Sequence, residues 1–296
     1  MISILIPTYN QPCLELVEEM RRQAEALSAP YEIIVADDGS TDTATLLANQ
    51  QIASLPHCRC LSPGKNLGPA RIRNFLADAA REPYLLFLDA DTFPVRDHFL
   101  VDYVIKAAAN RVICGGFQYE RTTHPAMCPL RYRYGIRVEE RSAEARNRSP
   151  YSQFISMSFL IDRRLFERVR FSERMHFGYE DTYWGMMLER EGVEILHIDN
   201  PVWHHTRDTA EGYLDKIRRS VRNLAANRDL LQSHVRLLRW QQKVHALRLE
   251  GMVAFLFTCF RKRLERNLKG KTPSLRLFAF YKLGYLCVVL RESKPD

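Results

Sequence analysis

Two acids separated by one small residue, Asp89-Ala90-Asp91, end the apolar run Tyr84-Leu85-Leu86-Phe87-Leu88. Carboxylates this close repel each other unless a cation or hydrogen-bond donors lie between them. Hard divalent ions take such oxygen ligands and complete their shell with phosphate oxygens of a substrate. The plain alternative is that Asp89 caps the next helix and Asp91 is solvated. Further acids stand at Asp37-Asp38, before Gly39-Ser40-Thr41-Asp42, and at Glu180-Asp181, after Phe177-Gly178-Tyr179. The first pair reads as turn chemistry before a capped helix start. The second can take a proton from a reacting hydroxyl, or merely favour a helix N-terminus through the dipole. Lys65 and Arg73 are candidate phosphate partners, Arg73 being alternatively a solvated helix residue. The segment Asn200-Pro201-Val202-Trp203-His204-His205 offers a late metal ligand or a packed histidine. Imidazole suits manganese somewhat better than magnesium.

The elements that must hold these groups follow from the apolar pattern. The continuous apolar run Tyr84–Leu88 predicts a strand buried on both faces, as in a parallel sheet, and Ile2-Ser3-Ile4-Leu5-Ile6 a short buried strand stopped by Pro7. Tyr31–Ala36 is a further strand. Helical spacing predicts helices over about 12–27, 68–81 and 97–109. Strand and helix alternating at this pace imply a mostly parallel α/β sheet flanked by helices. Ligands of such sheets bind at the carboxyl ends of the strands, where the acids fall. Beyond them, Arg111–Tyr119 is expected as one strand with Gly115-Gly116 inside it, and 120–150 as an irregular loop. Tyr151–Ile161 and Val193–Ile198 are expected strands, flanking a helix over Asp181–Glu191. Past 210 the pattern is almost wholly helical.

The 296 residues fit one large domain, or one domain and an appendage. Residues 206–296 carry 20 Lys/Arg against 8 Asp/Glu, whereas 1–205 carry 23 against 27. This change of sign predicts a boundary near 205. The seven cysteines are odd in number and without CxxC spacing, which predicts reduced thiols. Met1 leads directly into the first strand, so no secretory signal is expected, and a cytoplasmic protein follows.

Taken in order, these segments resemble glycosyltransferase family 2, the inverting GT-A (Rossmann-like) fold. The carriers of the resemblance are Pro7-Thr8-Tyr9-Asn10, Asp37-Asp38-Gly39-Ser40, Asn66 and Gly68 with Arg73-Asn74, Asp89-Ala90-Asp91, Glu180-Asp181 and the histidine after an apolar strand. It covers about residues 1–205, leaving 206–296 as a basic, mostly helical C-terminal appendage. The resemblance implies a metal-dependent transferase that moves a sugar from a nucleotide diphosphate sugar, UDP-sugar favoured, to a hydroxyl acceptor. That acceptor would be a glycan or a lipid-linked molecule, as in surface polysaccharide synthesis. Asp181 would be the catalytic base with Glu180 orienting the acceptor or the base. Pro7, Thr8, Tyr9, Asp37, Asp38, Lys65, Asn66, Gly68, Arg73, Asp89 and Ala90 would face the donor nucleotide. Asp91 would hold the cation, manganese or magnesium, with His204 as second ligand and His205 as its alternative. The chain departs from many relatives at Met157-Ser158, near the expected donor sugar. It also lacks the Gln-x-x-Arg-Trp motif of processive synthases.

Two other classes compete. A nucleotidyltransferase also uses paired aspartates, but usually with a Gly-rich loop after the first strand, and Pro7 to Pro12 has no glycine. A non-catalytic lipid- or nucleic-acid-binding protein would use the basic tail, which intact acids at 89, 91 and 181 disfavour; nucleic acid is not the expected partner. The tail itself either packs on the catalytic domain or a second subunit, or sits on anionic lipid at the inner face of the membrane. No stretch reaches the roughly 20 apolar residues needed to span a bilayer.

Overall fold

A computed structural model describes residues 1–121, 127–231 and 234–292. Parts of the expected loop (122–126) and of the helical tail (232–233, 293–296) lie outside the described residues. The chain forms two compact units. The first comprises Met1–Glu120, Glu140–His176 and Glu180–His205; the second comprises Arg121–Glu139, Phe177–Tyr179 and Thr206–Asp296.

The first unit is built on a seven-stranded sheet. Its strands are β1 (Ile2–Thr8), β2 (Tyr31–Asp37), β3 (Cys58–Leu61), β4 (Tyr84–Leu88), β6 (Arg111–Cys114), β8 (Ser158–Asp162) and β9 (Glu194–His197). A small second sheet holds β5 (Thr92–Pro94), β7 (Phe117–Gln118) and β10 (Val202–His204). The large sheet runs β3-β2-β1-β4-β8-β6-β9, with only β8 antiparallel to its neighbours. The fold is thus α/β with a mostly parallel sheet, as the apolar runs predict. Ile4, Leu5, Ile6 and Leu85 to Leu88 are fully buried, so both faces of these strands are covered. Helices Leu14–Ala26, Thr43–Gln50 and Pro69–Ala79 connect the parallel strands. The carboxyl ends of β2, β1 and β4 therefore lie side by side, Thr8 pairing with Asp37.

Three expectations are corrected. Arg111–Tyr119 is not one strand: β6 ends at Cys114 and β7 belongs to the other sheet. The break lies at Gly115-Gly116, where a Cβ on Gly115 would stand 2.2 Å from the Asn200 carbonyl and Gly116 adopts φ +84°. The strand expected over Tyr151–Ile161 begins only at Ser158, after a run of turns. The loop over 120–150 contains helices Pro129–Tyr134 and Ala143–Asn147.

An aromatic cluster beneath the sheet holds the acidic helix Glu180–Arg190 in place. Trp184 is fully buried, stacks on Phe171 at 4.7 Å and donates from Nε1 to the Val169 carbonyl at 2.8 Å. Phe171 is in turn gripped by Asn74, which donates to its carbonyl at 2.9 Å and accepts from its amide at 3.2 Å. The second unit is helical: Pro129–Tyr134, Ala210–Ala226, Arg228–Leu231, Arg236–Ala246, Glu250–Leu268 and Leu275–Glu292. Gly284 lets the ring of Phe257 approach closely, a Cβ there falling 2.6 Å from the Phe257 Cβ. No described helix is long and apolar enough to cross a membrane.

Candidate active site

Loops at the ends of β1 and β2 form the first part of the site. Asn10, at φ +51°, accepts from the amides of Thr41 (2.7 Å) and Asp42 (3.0 Å) and so ties the two loops together. Thr8 is buried and its hydroxyl donates to the Gln11 carbonyl at 2.6 Å. Tyr9, the next residue, is half exposed. Asp37 accepts from the Ser40 amide three residues on, at 2.7 Å, which closes the turn after β2. Asp38 is buried, and its two oxygens accept from the amides of Leu67 (2.6 Å) and Gly68 (2.9 Å). Asn66 donates to the Asp38 carbonyl at 2.7 Å. Asp38 thereby shapes the Asn66–Gly68 loop from within, while Asp37 stays at the surface of its turn. Burial pushes the Asp38 carboxyl up despite the two amides. Gly68 sits at φ +82°, and a Cβ would lie 2.7 Å from the His176 carbonyl, so no other residue fits. Lys65 is exposed on this loop.

The second part is a row of charges leading from β4. Arg73 is buried and not solvated: its guanidinium is paired with Asp89, donates to the Pro69 carbonyl at 3.0 Å and lies over the Phe171 ring. Burial raises the Asp89 carboxyl, Arg73 opposes that shift, and the neighbouring Asp91 adds to it. Ala90 is buried between the two acids in sequence. Asp91 Oδ2 stands 3.1 Å from His204 Nε2, and the Asp91 carbonyl accepts from the His205 amide at 2.8 Å. His204, not His205, therefore turns its ring to Asp91; the His205 side chain is exposed. The other His204 nitrogen, Nδ1, faces the Tyr119 hydroxyl at 3.0 Å, and Tyr119 is buried.

The third part is the N-terminus of the helix Glu180–Arg190. Asp181 Oδ1 accepts from the Thr182 amide at 2.6 Å. Glu180 Oε2 is buried with no hydrogen-bond partner among the described residues. Burial and then the charge of Asp181 push the Glu180 carboxyl up to about 7. Asp181 is also raised by burial, but the Thr182 amide and Arg73 hold it down. Asp89 adds to the upward shift of both. The pair thus lies within electrostatic reach of the Arg73–Asp89 ion pair. Ser158 turns inward, its hydroxyl 2.7 Å from that of Tyr103, whereas the Met157 carbonyl accepts from the Asp89 amide at 3.0 Å.

Among the described residues no cluster of three or more His, Cys, Asp or Glu side chains is arranged to hold a metal ion. Asp91 and His204 supply two donors, a carboxylate and an imidazole. That set fits a cation whose other ligands are diphosphate oxygens and water.

Sequence reasoning did not single out Tyr119 or Asn10 as site-shaping residues. A tyrosine past a strand end carries no distinguishing pattern. Asn10 was visible only as part of its motif, and its φ of +51° is a conformation asparagine tolerates.

A mostly parallel sheet with acids at the carboxyl ends of its strands defines a GT-A-like α/β protein. The chain matches the model "Glycosyl transferase family 2" over residues 3–170 and belongs to that family of glycosyltransferases. Glycosyltransferase GlyG of Streptococcus pneumoniae is 26% identical over 246 residues, 78% of this chain and 77% of the relative. An uncharacterized glycosyltransferase of Haemophilus influenzae is 33% identical over 97 residues, 33% of this chain. The chain spans only 38%, 12% and 26% of the length of three curated relatives. Among solved structures, the mannosyltransferase PcManGT from Pyrobaculum calidifontis, in complex with GDP-Man and manganese, shares the fold at TM-score 0.58 and 15% identity. It is aligned over 99% of this chain and 88% of that one. S. aureus TarS 1-349 in complex with UDP-GlcNAc is similar at TM-score 0.53 and 16% identity, over 98% and 90%.

Proposed function

We propose that this chain transfers a sugar, with inversion, from a nucleotide diphosphate sugar to a hydroxyl acceptor on a glycan or lipid-linked molecule. The observation that carries this is the series His204–Asp91–Asp89–Arg73–Glu180/Asp181, linked by contact or charge within one unit. A UDP-sugar is favoured, since similar structures hold UDP and UDP-GlcNAc, although another holds GDP-Man.

Asp181 is the base. At neutral pH the pair gives up one proton before the other. Glu180 keeps its proton longer because its Oε2 has no donor among the described residues, whereas Asp181 has the Thr182 amide. Asp181 is therefore the carboxylate that accepts the proton of the acceptor hydroxyl. As that oxygen bonds to the anomeric carbon, the bond from that carbon to the phosphate oxygen breaks, and its electron pair leaves with the diphosphate. One displacement inverts the anomeric centre. Glu180 orients the acceptor or the base. Asp91 and His204 would hold manganese or magnesium, which when bound supplies Lewis-acid stabilisation of the departing diphosphate. Arg73 favours the ionised form of Asp89 beside that position, against the burial that raises its carboxyl. Tyr9 offers an exposed ring to the base, and Asp37 accepts from the base or ribose. Thr8, Asp38, Asn66 and Gly68 hold the loop that receives the nucleotide, with Lys65 at its rim. Pro7, near the end of β1, and Ala90, between the two acids, face the donor nucleotide in this reading. Residues 1–205 form the catalytic part and 206–296 the appendage.

The test is a thermal-shift panel of nucleoside diphosphates and their sugars, with and without manganese. A ligand at a hundred times its dissociation constant should add about 2.7 kcal/mol. The expected result is a rise in Tm for one base with manganese present. No shift with any nucleotide overturns the proposal.

A further inference from the structure

The second unit carries cations of two kinds. Arg218 pairs with Asp215 and Glu265, Arg261 with Glu265, and Lys269 with Glu211. Of these internal ion pairs, Arg218–Glu265 links the helices Ala210–Ala226 and Glu250–Leu268, while Arg218–Asp215 and Arg261–Glu265 lie within one helix. Arg236, Arg239, Lys262, Arg263 and Arg266 are exposed and have no acidic partner among the described residues.

The unpaired cations are not scattered. On the helix Glu250–Leu268, Met252, Phe255, Cys259, Lys262, Arg263 and Arg266 recur at spacings of three and four, so they share one face. All six are exposed, Phe255 by 66%. The opposite face, with Val253, Ala254, Phe257, Leu264 and Leu268, is buried. The outward stripe is apolar in its first half and cationic in its second. The helix Arg236–Ala246 repeats the composition. Arg236, Arg239, Trp240, Lys243 and then Leu247 fall on one face, with Leu247 exposed by 68%. Lys243 lies 4.8 Å above the exposed Trp240 ring.

Exposed aromatic and aliphatic side chains beside unpaired cations match an interface with a hydrocarbon edge and an anionic layer. We infer that these two stripes form a docking surface for a membrane rich in anionic lipid. Since no described helix can cross a bilayer, the attachment would be peripheral. The apolar residues would enter the boundary between headgroup and acyl chain, while Lys and Arg meet lipid phosphates. The inference rests on the proposed transferase function only for its purpose, which is to hold the enzyme where a lipid-linked acceptor resides.

The test is flotation of the full chain with vesicles of phosphatidylcholine alone or with about one-third phosphatidylglycerol. The protein should float with the anionic vesicles, lose binding in high salt, and stay behind with the neutral ones. Trp240 emission should shift to the blue on binding, a change absent in Trp240→Phe. Each surface cation is worth roughly five-fold in binding, so Lys262→Gln, Arg263→Gln and Arg266→Gln together should weaken it by about a hundred-fold. None of the three has been placed in the catalytic machinery, so nucleotide-induced thermal shifts should be unchanged, separating this inference from the proposed function. No flotation, equal flotation with both vesicles, or unchanged binding of the triple variant overturns it. So does a concentration-dependent dimer or a nucleic-acid complex that the triple variant abolishes while vesicle binding is absent.

Discussion

Glu180 and Asp181 are adjacent acids with different surroundings, and the proposed division of their roles rests on that difference. The Thr182 amide serves Asp181, while Glu180 Oε2 has no hydrogen-bond partner among the described residues. Asp181→Asn should lower kcat by about 10²- to 10⁴-fold, the usual weight of general-base catalysis, with nucleotide affinity unchanged in calorimetry. Unchanged turnover would remove Asp181 from the mechanism. Activity should rise with pH through an apparent value above the ordinary carboxylate range, since Asp181 must be ionised to act. Glu180 predicts an opposite trend in stability. Its folded carboxyl is pushed from 4.5 up to about 7, so the folded state binds the proton more tightly than the unfolded chain. Stability is full below about 4.5 and declines as pH rises towards 7. Glu180→Gln should therefore melt above the wild type at pH 8 and lose that advantage at pH 4. Arg73 is the counter-charge of the whole row. Arg73→Ala leaves Asp89 without its partner and should cost about 3 kcal/mol in denaturant melts.

At the scale of elements, the site is set by loops that strands and helices hold from below. Asp38 clamps the Asn66–Gly68 loop through two amides. Asp38→Ala strands both donors and should cost about 2 to 3 kcal/mol, with a large loss of nucleotide binding in the same preparation. Tyr119, past the end of β7, steadies His204. Removing such an outer partner costs about 10- to 100-fold in metal affinity, so Tyr119→Phe should weaken manganese binding by that factor while leaving Tm nearly unchanged. Much of this was legible in the sequence. The buried strands β1, β2 and β4 showed as apolar runs, and the acids at their ends as interruptions of those runs. The short strands β5, β7 and β10 were not legible. Each has only two or three residues and exists through pairing partners more than twenty residues away. The same holds for Arg73, whose burial against Phe171 and Asp89 is a tertiary fact that a basic residue in a helical pattern does not announce. The sequence does not separate the roles of Asp37 and Asp38, because only the fold shows which of the two is buried.

At the scale of the molecule, charge is divided by task. Residues 1–205 are net acidic and carry the candidate site, whereas 206–296 hold a +12 balance. Among the described residues of the second unit, the exposed Arg236, Arg239, Lys262, Arg263 and Arg266 have no acidic partner, which a purely structural appendage does not need. The central claim concerns the first unit. It is tested most directly by titrating UDP into the wild type, Asp91→Ala and Asp181→Asn in calorimetry with manganese present. Binding by the wild type and by Asp181→Asn, with loss of it in Asp91→Ala, is the result predicted. Absence of binding by the wild type to UDP and to every other nucleoside diphosphate, or equal binding by Asp91→Ala, would contradict the account.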